Sequence, residues 1–212
     1  MAWDALLLSF VGFYCGYRCY NYAEGSDRLK FLGLSIAALV FATTQASVVV
    51  DGWLDAIDLT LYSDIVVEWG HIIALAFVLS ALAVFIRQSK PVFAQFPLVY
   101  AALPLFIVLS YVLVANTYAL KDWLLSIYQG GAILVALLMY SVYTYREKRY
   151  MYILVGIILF LITFIIYWYI PGVNENTGWL WKTLLISSLL MTLYGYEYAR
   201  KKNPSSKDTI QI

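Results

Sequence analysis

Glu68 and His71 stand three residues apart in the stretch Asp64-Ile-Val-Val-Glu-Trp-Gly-His71, and fifteen apolar or small residues separate His71 from Arg87. Asp64, Glu68 and His71 follow i, i+4, i+7 spacing and share one helical face. A carboxylate and an imidazole so placed can hold a cationic or zwitterionic ligand, pass a proton, or ligate a metal. His71 is the only histidine of the chain. Ionisable groups inside an apolar stretch are costly and require a partner or a wet cavity.

Other polar groups recur at a similar depth in other apolar segments. Gln45, beside Thr43 and Thr44, lies near the end of one; Gln129, Thr163 and Lys182 lie near the ends of three more. If these segments cross a bilayer, the groups form a layer about 6–11 Å below one surface. Glu68, His71, Gln45, Gln129 and Lys182 are the candidate ligand-binding residues. Lys182 is the expected counter-charge of Glu68, and His71 a donor that can titrate near neutral pH. Gln45 and Gln129 are the orienting amides. The plainer readings are a snorkelling Lys182 and amides and imidazole that only join helices.

Narrower chemistries meet obstacles. Glu68-Trp-Gly-His71 is the Glu-x-x-His pair of di-iron bundles, which need a second such pair and two further carboxylates. One histidine cannot supply that, nor two axial ligands for a haem. No metal site and no catalytic residue is expected, because no nucleophile stands beside an oriented base. Asp51, Asp55, Asp58 and Asp64 could attract calcium, but lack the Asp-x-Asp-x-Asp-Gly spacing of a dedicated loop. Cys15 and Cys19 lie i, i+4 on one helix, unlike a disulfide framework.

The elements that must position these residues follow from composition. Of 212 residues 63% are hydrophobic and 13% charged, against about 45–50% and about 25% in soluble domains. That composition predicts an integral membrane protein. A net charge of +1 offers no field for nucleic acid. No basic region precedes the first apolar segment, so a cleaved leader is not expected.

Seven apolar segments are legible, about 4–22, 29–50, 64–87, 92–115, 122–145, 149–170 and 178–199. Each is long enough to span a bilayer as a helix. The expectation is a single all-α domain over 1–200, a seven-transmembrane-helix bundle, with a short basic cytoplasmic tail at 201–212. Under that reading 12 of the 14 Lys and Arg fall on one side. The positive-inside rule then places the N-terminus outside and the C-terminus in the cytoplasm, in a plasma or inner membrane. Between Asp51 and Asp64, residues Trp53, Leu54, Ile57 and Leu61 share a face, which predicts a short helix lying on the membrane surface. Tryptophans and tyrosines near the segment ends read as interfacial belts.

The helix count and orientation resemble those of microbial rhodopsins, with Lys182 on the last helix and Glu68-Trp69 on the third. Lys182 lies one turn from the end of its segment, however, and Leu185 to Met191 contains no lysine. No family membership follows, and retinal, like a single-histidine haem, is a poorly supported cofactor.

Three functions fit this layout. The first is a receptor-like protein with an outward-facing polar pocket for a small polar ligand. The second is an accessory subunit that docks on a membrane protein partner. The third is a small three-plus-one-plus-three transporter. A displacement of 118 positions matches Asp4 with Asp122, Gly12 with Gly130 and Arg28 with Arg146, and parallel repeats of this kind occur in transporters. Pro97, Pro104 and Gly130-Gly131 would be its hinges.

Overall fold

The computed structural model describes residues 2–23, 28–53, 60–89, 97–114, 118–170 and 178–201. Among them are seven α-helices: α1 (Ala2–Tyr22), α2 (Arg28–Trp53), α3 (Thr60–Ser89), α4 (Pro97–Leu113), α5 (Tyr118–Arg146), α6 (Met151–Tyr169) and α7 (Gly178–Lys201). A single 3-10 turn, Lys148–Tyr150, precedes α6. The chain is all-α. It divides into two compact units, Met1–Ala132 and Ile133–Ile212, with the border inside α5.

The expectation of seven spanning helices is overturned. Among the described residues only four helices are long and apolar enough to cross a membrane: α2, the Ile65–Ile86 part of α3, the Leu120–Arg146 part of α5, and Lys148–Tyr169. The orientation with N-terminus outside and C-terminus cytoplasmic rests on seven crossings and falls with them. The reasons are local. α4 has 17 residues with Pro104 inside, short of the roughly 20 that a span needs. α1 carries Asp4, Arg18, Asn21 and four tyrosines; α7 carries Lys182, Glu197, Arg200 and Lys201. Tyrosine counts as apolar in a composition tally, yet its hydroxyl seeks water or a polar partner. Four spanning-length helices are still features of a multi-pass membrane protein that associates with a bilayer. Of the surface helix expected between Asp51 and Asp64, 51–53 belong to α2 and 60–64 to α3, while 54–59 lie outside the described residues, as does 202–212 of the tail.

In the first unit α1, α2 and α3 run antiparallel in sequence order. Two serines join α1 to α2 in opposite senses. Ser9 Oγ donates to the Ala42 carbonyl at 3.0 Å, and Ser35 Oγ donates to the Gly16 carbonyl at 2.8 Å. Both serines are buried. Lipid tails are as apolar as leucine, so helices in a membrane associate through close packing and such hydrogen bonds. α2 and α3 approach closely at Gly70, where a Cβ would overlap Thr44 Oγ1.

In the second unit α6 packs on α7. A Cβ at Gly195 would lie 2.6 Å from the backbone nitrogen and from Cγ1 of Ile153. Tyr140 of α5 is buried beside Ile153 and Ile157 of α6. Its hydroxyl meets that of Tyr196 of α7 at 2.6 Å. On the part of α5 in this unit, Leu134, Leu138 and Val142 are exposed at four-residue intervals, as expected of a lipid-facing stripe.

Candidate functional site

Glu68 lies near the start of the spanning part of α3. Two donors converge on its Oε1. Tyr111 of α4 donates its hydroxyl at 2.6 Å, and the Lys121 ammonium of α5 forms an ion pair with the same oxygen. The Lys121 Nζ also sits 5.4 Å from the centre of the Tyr111 ring. Trp69 meets that ring edge-on at 5.8 Å. Three helices thus meet on one carboxylate. Next to Tyr111, the Ser110 hydroxyl lies 2.6 Å from that of Tyr128 on α5.

Exposure is uneven within the group. Tyr111 is buried at 4%. The Lys121 side chain is 13% exposed and that of Glu68 31%. An ionised carboxylate can accept about four hydrogen bonds. Both contacts fall on Oε1, so among the described residues Oε2 retains its acceptor capacity.

Of the residues singled out from the sequence, Glu68 and His71 turn to different neighbours. The imidazole stacks on Phe41 of α2 at 6.2 Å, whereas Glu68 engages α4 and α5. Gln45 is buried at 9% on α2. Gln129 is half-buried on α5. The ammonium paired with Glu68 is that of Lys121. Lys182 belongs to the second unit, with its Nζ 5.6 Å over the Trp181 ring. Among the described residues no three His, Cys, Asp or Glu side chains gather around one point. Both cysteines are reduced and buried.

Tyr111 and Lys121 are the members that sequence reasoning missed. Tyr111 was indistinguishable from an interfacial belt residue. Lys121 had a signal: it opens α5 beside Asp122, as Glu68 stands near the opening of the apolar part of α3. In comparisons with known proteins the chain matches no family model, no curated relative and no solved structure.

Proposed function

We propose that this chain is a binding or sensory protein of a plasma or inner membrane, and that Glu68 anchors a small polar ligand. The observation that carries the reading is a carboxylate held on one oxygen by Tyr111 and Lys121 while its side chain stays 31% exposed. A fixed acceptor at the edge of a low-dielectric region favours a ligand with an ammonium or hydroxyl donor. Tyr111 and Lys121 set the direction of the carboxylate. Lys121 would also face an anionic group of a zwitterion. Gln45 and Gln129 orient the remainder.

The test is mass spectrometry of small molecules that stay attached through native purification of the wild type and of Glu68→Gln. A polar molecule in the first and not in the second supports the reading. Equal recovery in both, or none in either, rejects it.

A second reading is an accessory subunit of a larger membrane complex. It is favoured by the exposed stripe along α5, which a partner helix could cover in place of lipid. A stable larger assembly in mild detergent would support this reading over the first.

A further inference from the structure

The Lys121 ammonium is itself a guide to what the Glu68 site recognises. It reaches Glu68 Oε1 together with the Tyr111 hydroxyl, and its Nζ sits 5.4 Å from the centre of the Tyr111 ring. A carboxylate oxygen on one side and a ring face within about 6 Å on the other bind an organic cation. Trp69 braces that ring edge-on at 5.8 Å. Beyond its Cβ, Lys121 is chemically a propylammonium tethered to α5. Glu68 and Trp69 of α3 and Tyr111 of α4 therefore form a receptacle that the chain fills with a side chain of its own.

Two features allow exchange of this occupant. The Glu68 side chain is 31% exposed and that of Lys121 13%, so the carboxylate is open to an incoming cation while Lys121 is still in place. Such a cation arrives at Oε2, since both existing contacts use Oε1. Lys121, in turn, is the second residue of the spanning part of α5, Leu120–Arg146. A lysine so close to a helix end can carry its ammonium out to water on its flexible stem. Displacing it strands no charge in the apolar region. The donor must also be small. It shares a carboxylate with a phenol at 2.6 Å, and a fully methylated nitrogen has no proton to donate there.

We propose, resting on the reading of Glu68 as a ligand anchor, that the ligand is a primary alkylammonium that binds by taking the place of Lys121 against Glu68 and Tyr111. Lys121 is then an internal competitor. Its contact ties α5 to α3 in the empty site and sets the amine concentration needed to fill it. Free alkylamines and the ethanolamine headgroup of a phospholipid both offer this ammonium. Glu68 is the fourth residue of the spanning part Ile65–Ile86, close to a bilayer boundary and within reach of either source.

The experiment uses the full chain in detergent micelles. Lys121→Ala removes the atoms that propylammonium supplies, and Lys121→Ser repeats the truncation with a polar stub. Thermal stability is measured with propylammonium, tetramethylammonium, dioleoylphosphatidylethanolamine or dioleoylphosphatidylcholine. Propylammonium should raise the melting temperature of both truncations. It should bind them about 10- to 100-fold more tightly than the wild type, the factor expected of a hydrogen bond to a charged group. Tetramethylammonium should do neither. Lys121→Met keeps the stem volume, and Glu68→Gln with Lys121→Ala removes the acceptor; neither should respond. If a truncation folds only with propylammonium present, that recovery is the same positive result. An added response to phosphatidylethanolamine but not phosphatidylcholine assigns a lipid source, and a response to propylammonium alone a soluble one. Equal affinity of wild type and truncations for propylammonium overturns the proposal, as does an equal response to tetramethylammonium. No response in either truncation also overturns it. If the wild type then still retains a molecule that Glu68→Gln loses, Glu68 remains the anchor and only the exchange with Lys121 fails.

Discussion

The Tyr111 hydroxyl donates to Glu68 Oε1 at 2.6 Å and ties α4 to α3 across 43 positions of sequence. The tie is short and the phenol is buried. Tyr111→Phe removes only the donor. A hydrogen bond to a charged group contributes about 1.5–3 kcal/mol, and the partial exposure of Glu68 places the loss at the lower end. Guanidinium or sodium dodecyl sulfate titration of the variant should show a lowered midpoint with helicity intact.

Glu68 and Lys121 should be energetically coupled. In a double-mutant cycle with Glu68→Gln and Lys121→Met, the double variant should be more stable than the sum of the single losses implies. A coupling of about 0.5–3 kcal/mol is the expected range for groups in direct contact. Strict additivity would show that the pair holds nothing together.

The glycines offer a paired test of packing. At Gly195 a Cβ meets the Ile153 backbone at 2.6 Å, and backbone cannot swing aside. Gly195→Ala should cost about 1–3 kcal/mol, as overpacking does. At Gly131 nothing lies within 4 Å of an added Cβ. Gly131→Ala should be neutral, or stabilise α5 by about 0.5–1 kcal/mol through lower backbone entropy. Both are read from the same unfolding titration.

The contact between buried Tyr140 and half-buried Tyr196 tests hydrogen-bond satisfaction. Tyr196→Phe removes the hydroxyl that lies 2.6 Å from that of Tyr140 and should cost about 1–3 kcal/mol. Tyr140→Phe combined with Tyr196→Phe removes both polar groups and should recover much of that loss. Thermal melting of the three variants distinguishes a structural bond from mere ring packing.

Cys15 and Cys19 give a pH dependence. Burial pushes the Cys15 thiol up to about 11 and the Cys19 thiol up to about 12, from an ordinary 9.0, with Cys15 adding to the shift at Cys19. Their folded-state values are raised, so their contribution to stability is complete below pH 9.0 and is lost as pH rises through about 11 and 12. At pH 8 both thiols should resist maleimide in the folded protein and react promptly once it is unfolded in detergent. Fast labelling of the folded chain would contradict their burial.

The helices are legible in the sequence because apolar runs bounded by charge and by Gly or Pro define them well. Spanning capacity is less so. Arg18 and Tyr22 on α1, and Tyr194, Tyr196 and Tyr198 on α7, resemble membrane-boundary residues in a linear reading, but their hydroxyls and charges lower the affinity of whole helices for lipid. Glu68 can be picked out as a costly group near the start of an apolar run. Its partners cannot, since Tyr111 and Lys121 depend on how α4 and α5 rotate about their axes. Periodicity does not specify that rotation in helices with apolar residues all round. For the same reason Glu68 and His71, three residues apart, were expected on one wall and face α4 with α5 and α2 respectively.

The reciprocal bonds of Ser9 and Ser35 have a mechanical consequence. Sliding α1 along α2 by a single turn would strand both hydroxyls at once in oily surroundings. Tilting the pair, by contrast, pivots about two fixed rivets. The hairpin therefore resists shear, and any rearrangement of the first unit must carry it as a single strut.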